Sequence, residues 1–184
     1  MHNGLDPRTG KQLGPKTGDP EIFKTYDDLF AAFRKQLHHF VEIKIRGSRL
    51  IERMYADHMP APFLSVLIDD CIANGRDYNA GGARYNNTFI QMVGLGSITD
   101  CLSAVKQMCY DQVGNKNKEG GRNGHLSLSE LVGVLDKDFS DDEILRQRLV
   151  NKTHKYGNDD NYADDIMLDV FNACFEEVDG RPYN

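Results

Sequence analysis

The sequence lacks most of the features that would announce a function directly. No run of about 20 apolar residues is present, so nothing reads as a membrane span. The longest aliphatic stretch, Phe63 to Ile68, is far too short. No Cys-x-x-Cys pair occurs. Cys71, Cys101, Cys109 and Cys174 are widely spaced on apolar helical patterns, which reads as four buried thiols of a reducing compartment rather than a zinc or disulfide framework. Positive charge is not in surplus. A net charge of -6 argues against a face for duplex nucleic acid, which needs clustered Lys and Arg. The N-terminus carries no apolar secretory segment, and the expected location is cytoplasmic. His-Glu-x-x-His is absent, no serine stands in a nucleophile-elbow context, and no internal repeat is evident. The 184 residues amount to one domain or less.

What is present is mostly helix, organised around one stretch that is not. Residues 84–93, Arg-Tyr-Asn-Asn-Thr-Phe-Ile-Gln-Met-Val, follow Gly81-Gly82 and precede Gly94-Leu95-Gly96. They predict a strand with Tyr85, Asn87, Phe89, Gln91 and Val93 on one face and Arg84, Asn86, Thr88, Ile90 and Met92 on the other. A lone strand cannot satisfy its own backbone groups, so its partners are expected outside this chain.

Before it, residues 1–24 are rich in glycine and proline. His2 to Gly10 reads as turns or a flexible tail, and Gly14 to Pro20 as an ordered loop. Thr25-Tyr26-Asp27-Asp28 has capping-box spacing and opens a long helix carrying Leu29, Phe33, Leu37, Phe40, Val41, Ile51, Met54 and Tyr55 on its period. Gly47-Ser48 inside it predicts a bend or a close backbone approach. Met59-Pro60-Ala61-Pro62 breaks that helix. Pro62 suits the first position of a second one over Phe63 to Ala73, apolar around most of its circumference and ended by Asn74-Gly75.

After the strand, Ser97-Ile98-Thr99-Asp100 predicts a cap for a helix burying Ile98, Cys101, Leu102, Val105, Met108 and Cys109. Gly114 to Asn123 predicts an exposed loop. Ser127-Leu128-Ser129-Glu130 and Ser140-Asp141-Asp142-Glu143 predict capping boxes for two short helices. Asn151 to Asn161 reads as a loop. A last helix is expected to bury Ala163, Ile166, Met167, Val170, Phe171, Cys174 and Val178 and to stop at Gly180. Both ends of the sequence look cut, as though neighbouring elements belong to a longer chain.

No motif assembles a site by itself. Gly94-Leu95-Gly96 lacks the third glycine of a dinucleotide turn and reads as tight strand-to-helix packing. Asp159, Asp160, Asp164 and Asp165 do not have calcium-loop spacing. Asp159 and Asp160 suit the positive end of the last helix instead. The run from Asn115 fails as a calcium loop because its twelfth position is Leu126. His38, His39 and His58 read as surface or packed side chains, and Asp69-Asp70 as a structural ion pair with Arg76.

Several of these motifs in order resemble the glycyl radical enzymes, the pyruvate formate-lyase-like proteins. They are Asn3-Gly4-Leu5-Asp6, Thr9-Gly10-Lys11-Gln12, Gly14 to Asp19, Met59 to Pro62, Asp69-Asp70-Cys71, Gly81 to Asn86, Gly94 to Lys106, Asn151-Lys152-Thr153, Lys155 to Asp160 and Gly180-Arg181-Pro182. The resemblance runs over nearly the whole chain and leans toward the dehydratase and decarboxylase branch; residues 115–123 depart from it as an insertion. It implies a chain that is mainly α with one or two strands, a fragment of a ten-stranded α/β barrel with residues 84–93 as one stave. Residues 1–184 would be an internal part of that barrel domain, without the cysteine loop or the C-terminal glycyl radical domain. The family's glycyl radical is installed by an activating enzyme that uses S-adenosylmethionine and an iron–sulfur cluster. It passes to a cysteine whose thiyl attacks the substrate. Neither loop falls in this sequence, so no catalytic, cofactor or metal residue is carried over. The expected partners are the rest of the barrel, the activating enzyme and a second copy of the full-length enzyme, with no nucleic acid and no membrane. The competing reading is a free-standing helical interaction module derived from that fold; a small metal-binding protein is the third.

Overall fold

The computed structural model describes residues 2–111 and 126–181. The expected loop at 114–123 and the last three residues fall outside them. The chain divides into two compact units: Met1–His39 with Val93–Phe175, and Phe40–Met92 with Glu176–Asn184.

The first unit opens on an ordered loop, not a tail. Leu5 and Gln12 form an isolated antiparallel bridge. The Asn3 side-chain oxygen accepts from the Thr17 and Gly18 amides at 2.7 and 2.8 Å. Gly4 lies at φ 77°, and a Cβ there would come within 2.5 Å of the Gly14 and Pro15 carbonyl oxygens, so the turn requires glycine. Helix α1 (Tyr26–His58) then starts from the Thr25 box. Thr25 Oγ1 accepts from the Asp28 amide at 3.1 Å, and Asp28 accepts from the Thr25 amide at 2.9 Å. The early part of α1 belongs to this unit.

Helices α3 (Leu95–Val105), α4 (Leu128–Asp136), α5 (Glu143–Asn151) and most of α6 (Asn161–Val178) complete it. A π-helical turn, Lys106–Tyr110, extends α3. One apolar cluster joins Leu29, Val105, Met108, Cys109, Leu128, Leu131 and Leu145. A second joins Leu102, Ile166 and Val170, flanked by Phe30 and Phe33. Ile166 is 1% exposed. Fully burying an aliphatic side chain of this size is worth about 1.5–3 kcal/mol. On α6, Ala163, Ile166, Val170 and Cys174 are buried as the period predicts, whereas Phe171 is 40% exposed.

Two caps differ from expectation. Gly94, at φ 87°, caps α3, so the helix starts before Ser97. Asp142, not Ser140, caps α5 by accepting from the Leu145 amide at 3.0 Å. Ser127 and Glu130 form the predicted reciprocal box on α4.

The second unit holds the rest of α1, the short helix α2 (Pro62–Leu67) and a single 3-10 turn at Tyr78–Ala80. Helix α1 passes Gly47 without interruption, and a Cβ there would meet nothing within 4 Å, so the expected close backbone approach is not found among the described residues. Pro62 takes the predicted first position of α2, but the helix ends at Leu67 rather than Ala73. The chain turns sharply beyond it, with Asp70 at φ 73° and Gly75 at φ 59°. The predicted strand at 84–93 is not formed. Residues 86–94 belong to no regular element, and the described residues contain no strand. The pattern for a strand is there; a neighbouring strand to complete its hydrogen bonds is not supplied by the described residues.

Candidate functional site

In the first unit the polar chemistry gathers where α3 and its π turn meet the loop before α6. The Asp160 carboxylate accepts from the Tyr162 amide at 3.0 Å, capping α6, and meets His154 Nδ1 at 2.5 Å. The contact with His154 is the main reason the Asp160 carboxyl lies below its ordinary range. The His154 ring stacks on Tyr162 with centroids 4.5 Å apart. Tyr162 donates its hydroxyl to Asp111 at 2.6 Å. The Lys106 ammonium lies 5.0 Å from the Tyr26 ring centroid and 5.1 Å from that of Tyr162. Burial pushes both tyrosine hydroxyls up from their usual range, and the Asp111 contact adds to this at Tyr162. The buried Tyr26 hydroxyl has no hydrogen-bond partner among the described residues.

The same loop is clasped to α3 through its backbone. Ser103, fully buried, donates to the His154 carbonyl at 2.8 Å. Gln107 accepts from the His154 amide at 3.1 Å, and Asp100 from the Tyr156 amide at 2.8 Å. Tyr156 packs over Gly96, where a Cβ would stand 3.4 Å from its ring, an ordinary van der Waals contact. Gly94, at positive φ, turns the chain into α3. The strand-to-helix packing expected of the Gly-Leu-Gly run is not formed, since no strand precedes α3 among the described residues.

In the second unit the centre of the polar structure is Asp77. Its carboxylate accepts from the Ala61 amide at 2.9 Å, the Ser65 hydroxyl at 2.8 Å and the Asn79 amide at 2.9 Å. The Ser65 bond is the largest of the effects that hold the Asp77 carboxyl below its ordinary value. Asp69 and Asp70 do form a structural ion pair, but with Arg84 rather than Arg76. Arg84 grips Asp70 through two nitrogens at 2.8 and 2.9 Å and lies 3.5 Å from Asp69. Arg76 donates instead to the Ala80 carbonyl at 2.5 Å. Thr88 donates to Glu52 of α1 at 2.6 Å. A shallow pocket of about 140 Å³ opens beside Thr88, Ile90 and Arg181. The Arg181 guanidinium there is already paired with Glu42 and Glu177.

The remaining predicted side chains are spread apart. His38 is exposed, His39 meets the Leu13 carbonyl at 3.0 Å, and His58 ends α1. Of Asp159 and Asp160, the second does the capping, while Asp159 turns the chain at φ 54°. Cys71, Cys109 and Cys174 are buried thiols as expected, but Cys101 is exposed, because α3 turns that position away from its core face. Sequence reasoning missed Asp77 and His154. Asp77 sits between two loops with no period to flag it, and His154 finds Asp160 six residues on, a spacing no helix or strand pattern selects.

This helical framework superimposes on dehydratases and glycyl radical enzymes of known structure. Hydroxyproline dehydratase from Clostridioides difficile, with trans-4-hydroxy-L-proline bound, matches at TM-score 0.88 and 47% identity over 98% of this chain and 21% of that one. In sequence alone the trans-4-hydroxy-L-proline dehydratase of that organism is 48% identical over 99% of this chain. The glycerol-bound, B12-independent glycerol dehydratase of Clostridium butyricum matches at TM-score 0.84 and 32% identity, over 98% of this chain and 21% of that one. A glycyl radical enzyme of Archaeoglobus fulgidus matches at TM-score 0.79 and 34% identity, over 97% and 21% respectively. Residues 1–183 match the pyruvate formate lyase-like family, and the chain belongs to that family. It spans about 22% of the length of the C. difficile dehydratase.

Proposed function

We propose that the chain is a segment of a glycyl radical dehydratase whose substrate is a hydroxylated cyclic amino acid of the trans-4-hydroxy-L-proline kind. The observation that carries this reading is the 48% identity to the C. difficile enzyme over 99% of the chain. The (2S)-3-sulfopropanediol dehydratase of Klebsiella oxytoca, over a similar span, is 30% identical.

On this reading the radical chemistry resides in a cysteine loop and a glycyl loop that the resemblance places outside residues 1–184. This chain contributes no catalytic residue and acts alone as no catalyst. Its part is architectural. In the full-length enzyme residues 84–93, which form no strand in this chain, pair as one stave of the ten-stranded barrel; here they are held at their start by Arg84 on Asp70 and in their middle by Thr88 on Glu52. The parent enzyme works in the cytoplasm under anoxic conditions, as a homodimer, after a radical-generating partner that uses S-adenosylmethionine has installed the glycyl radical.

The test is a chimera. The matching 182 residues of the C. difficile dehydratase are exchanged for this chain, and the protein is activated anaerobically by its own activating enzyme. The expected result is a glycyl radical signal by electron paramagnetic resonance and loss of water from trans-4-hydroxy-L-proline. A folded chimera with neither would sink the reading. So would flanking coding sequence that encodes no cysteine loop before residue 1 and no glycyl loop after residue 184.

A further inference from the structure

Three tyrosines of the first unit form one group around the π turn. The Tyr110 and Tyr26 rings meet edge to face with centroids 6.2 Å apart. The Lys106 ammonium stands beside both Tyr26 and Tyr162, and His154 stacks on the Tyr162 ring. The three hydroxyls are provided for very differently. Tyr162 donates to the Asp111 carboxylate at 2.6 Å, the length of a charge-assisted bond. Tyr110 donates to the Phe23 carbonyl at 3.3 Å, and the Tyr26 hydroxyl has no partner among the described residues.

That difference decides which phenol can give up an electron. Burial raises all three hydroxyls from their usual range, so each is still protonated when an oxidant arrives. A phenol that loses an electron becomes a strong acid at its hydroxyl, and the neutral radical forms only where a base stands within hydrogen-bond reach. The Lys106 charge opposes a positive charge on either ring beside it, so there the electron leaves together with the proton. At Tyr162 the proton has a carboxylate to go to. At Tyr110 it faces a carbonyl, a far weaker base.

We propose that Tyr162 and Asp111 form a proton-coupled electron-donor site that quenches oxidising radicals reaching this unit. A one-electron oxidant of the thiyl or peroxyl radical class takes an electron from the Tyr162 ring and is reduced to its anion. The Tyr162 O–H bond breaks, the proton passes to Asp111 Oδ2, and a neutral tyrosyl radical remains. An electron vacancy first formed on Tyr110 or Tyr26 moves on to Tyr162, where the proton has its acceptor. No segment outside residues 1–184 takes part, so the site is independent of the reading of the chain as a dehydratase segment.

Flash oxidation of the 184-residue chain with a photogenerated ruthenium(III) tris-bipyridine complex tests this. The tyrosyl radical is followed by its absorption and by electron paramagnetic resonance, and cross-linking between molecules by dityrosine fluorescence. The exposed Tyr85 and Tyr55 are the competing donors. The expected result is a long-lived radical, formed more slowly in deuterium oxide, with little dityrosine. Tyr162→Phe should shorten the radical lifetime by about tenfold or more and raise dityrosine correspondingly. Asp111→Asn should behave like Tyr162→Phe, and Asp111→Glu should restore the long-lived radical. Far-UV circular dichroism verifies that each variant is folded. Tyr162→Phe with an unchanged radical overturns the proposal. So does Asp111→Asn with an unchanged radical, because the proton then needs no carboxylate. The unaltered protein supplies a check free of any folding defect, since absence of a solvent isotope effect on radical formation overturns the proposal as well.

Discussion

The two units of this chain bury their apolar side chains to very different extents. In the first, Leu102, Ile166 and Val170 form one closed cluster and Leu29, Met108 and Leu131 belong to another. In the second, Val41, Ile45 and Cys71 are the buried apolar side chains among the described residues, while Phe63, Leu67, Ile72, Tyr85 and Phe89 are each at least 70% exposed. The first unit is held by hydrophobic burial, and its polar clasp around His154 closes what burial has already placed. The second is held by directional bonds around Asp77 and Arg84. Composition does not separate them, since both carry long apolar side chains. What differs is how much of that apolar surface the described residues cover.

The largest effect that sharpens this contrast is a truncation in each unit. Ile166→Ala should cost about 2–5 kcal/mol, because it opens a cavity at a 1% exposed position. Leu67→Ala in the 184-residue chain should change stability by no more than about 0.5 kcal/mol. Urea unfolding of both variants checks the pair, and equal losses would break the comparison.

Acidification comes next. Asp77 and Asp70 have depressed carboxyl values, mainly through Ser65 and Arg84 respectively. A depressed carboxyl contributes stability that is present above its unfolded value of about 3.9 and is lost as pH falls through the folded value. The second unit, with little buried apolar surface behind these bonds, should therefore open first below about pH 4. Pepsin digestion across this range should cut between residues 59 and 92 before it cuts α3 or α6. Cleavage in the opposite order would count against the contrast.

Two tyrosines of the first unit give the smallest effects. Tyr162→Phe removes the bond to Asp111 and should cost about 0.5–1.5 kcal/mol by denaturant unfolding. Tyr26→Phe removes a hydroxyl with no partner among the described residues and should stay within about 0.5 kcal/mol of the parent. A larger loss at Tyr26 would mean that its hydroxyl is bridged by water in solution.

Much of the helical structure was legible in the sequence because its signals are local. Thr25 with Asp28, Ser127 with Glu130 and Pro62 each mark a helix start through atoms no more than three residues apart. The misreadings have local causes as well. Ser97 and Ser140 have cap spacing, yet Gly94 and Asp142 lie close by and take the role. Phe63 to Ala73 reads as one apolar helix, but Asp70 adopts a left-handed turn that Arg84, fourteen residues away, fastens in place. Residues 84–93 show the limit most plainly. Their alternation predicts a strand, and a strand also needs a neighbour, which no local pattern can supply. The polar clusters were less legible than the helices for the same reason, since Asp77 joins groups at positions 61, 65 and 79.

The distribution of the thiols has a practical consequence. Cys101 is open to a disulfide reagent at once, whereas the others are shielded, Cys109 further by burial that raises its thiol to about 11. Cys71 lies in one unit and Cys109 and Cys174 in the other. A single reagent trace on the unaltered protein thus carries a burst followed by two separate clocks, and peptide mapping shows which half of the molecule each clock times.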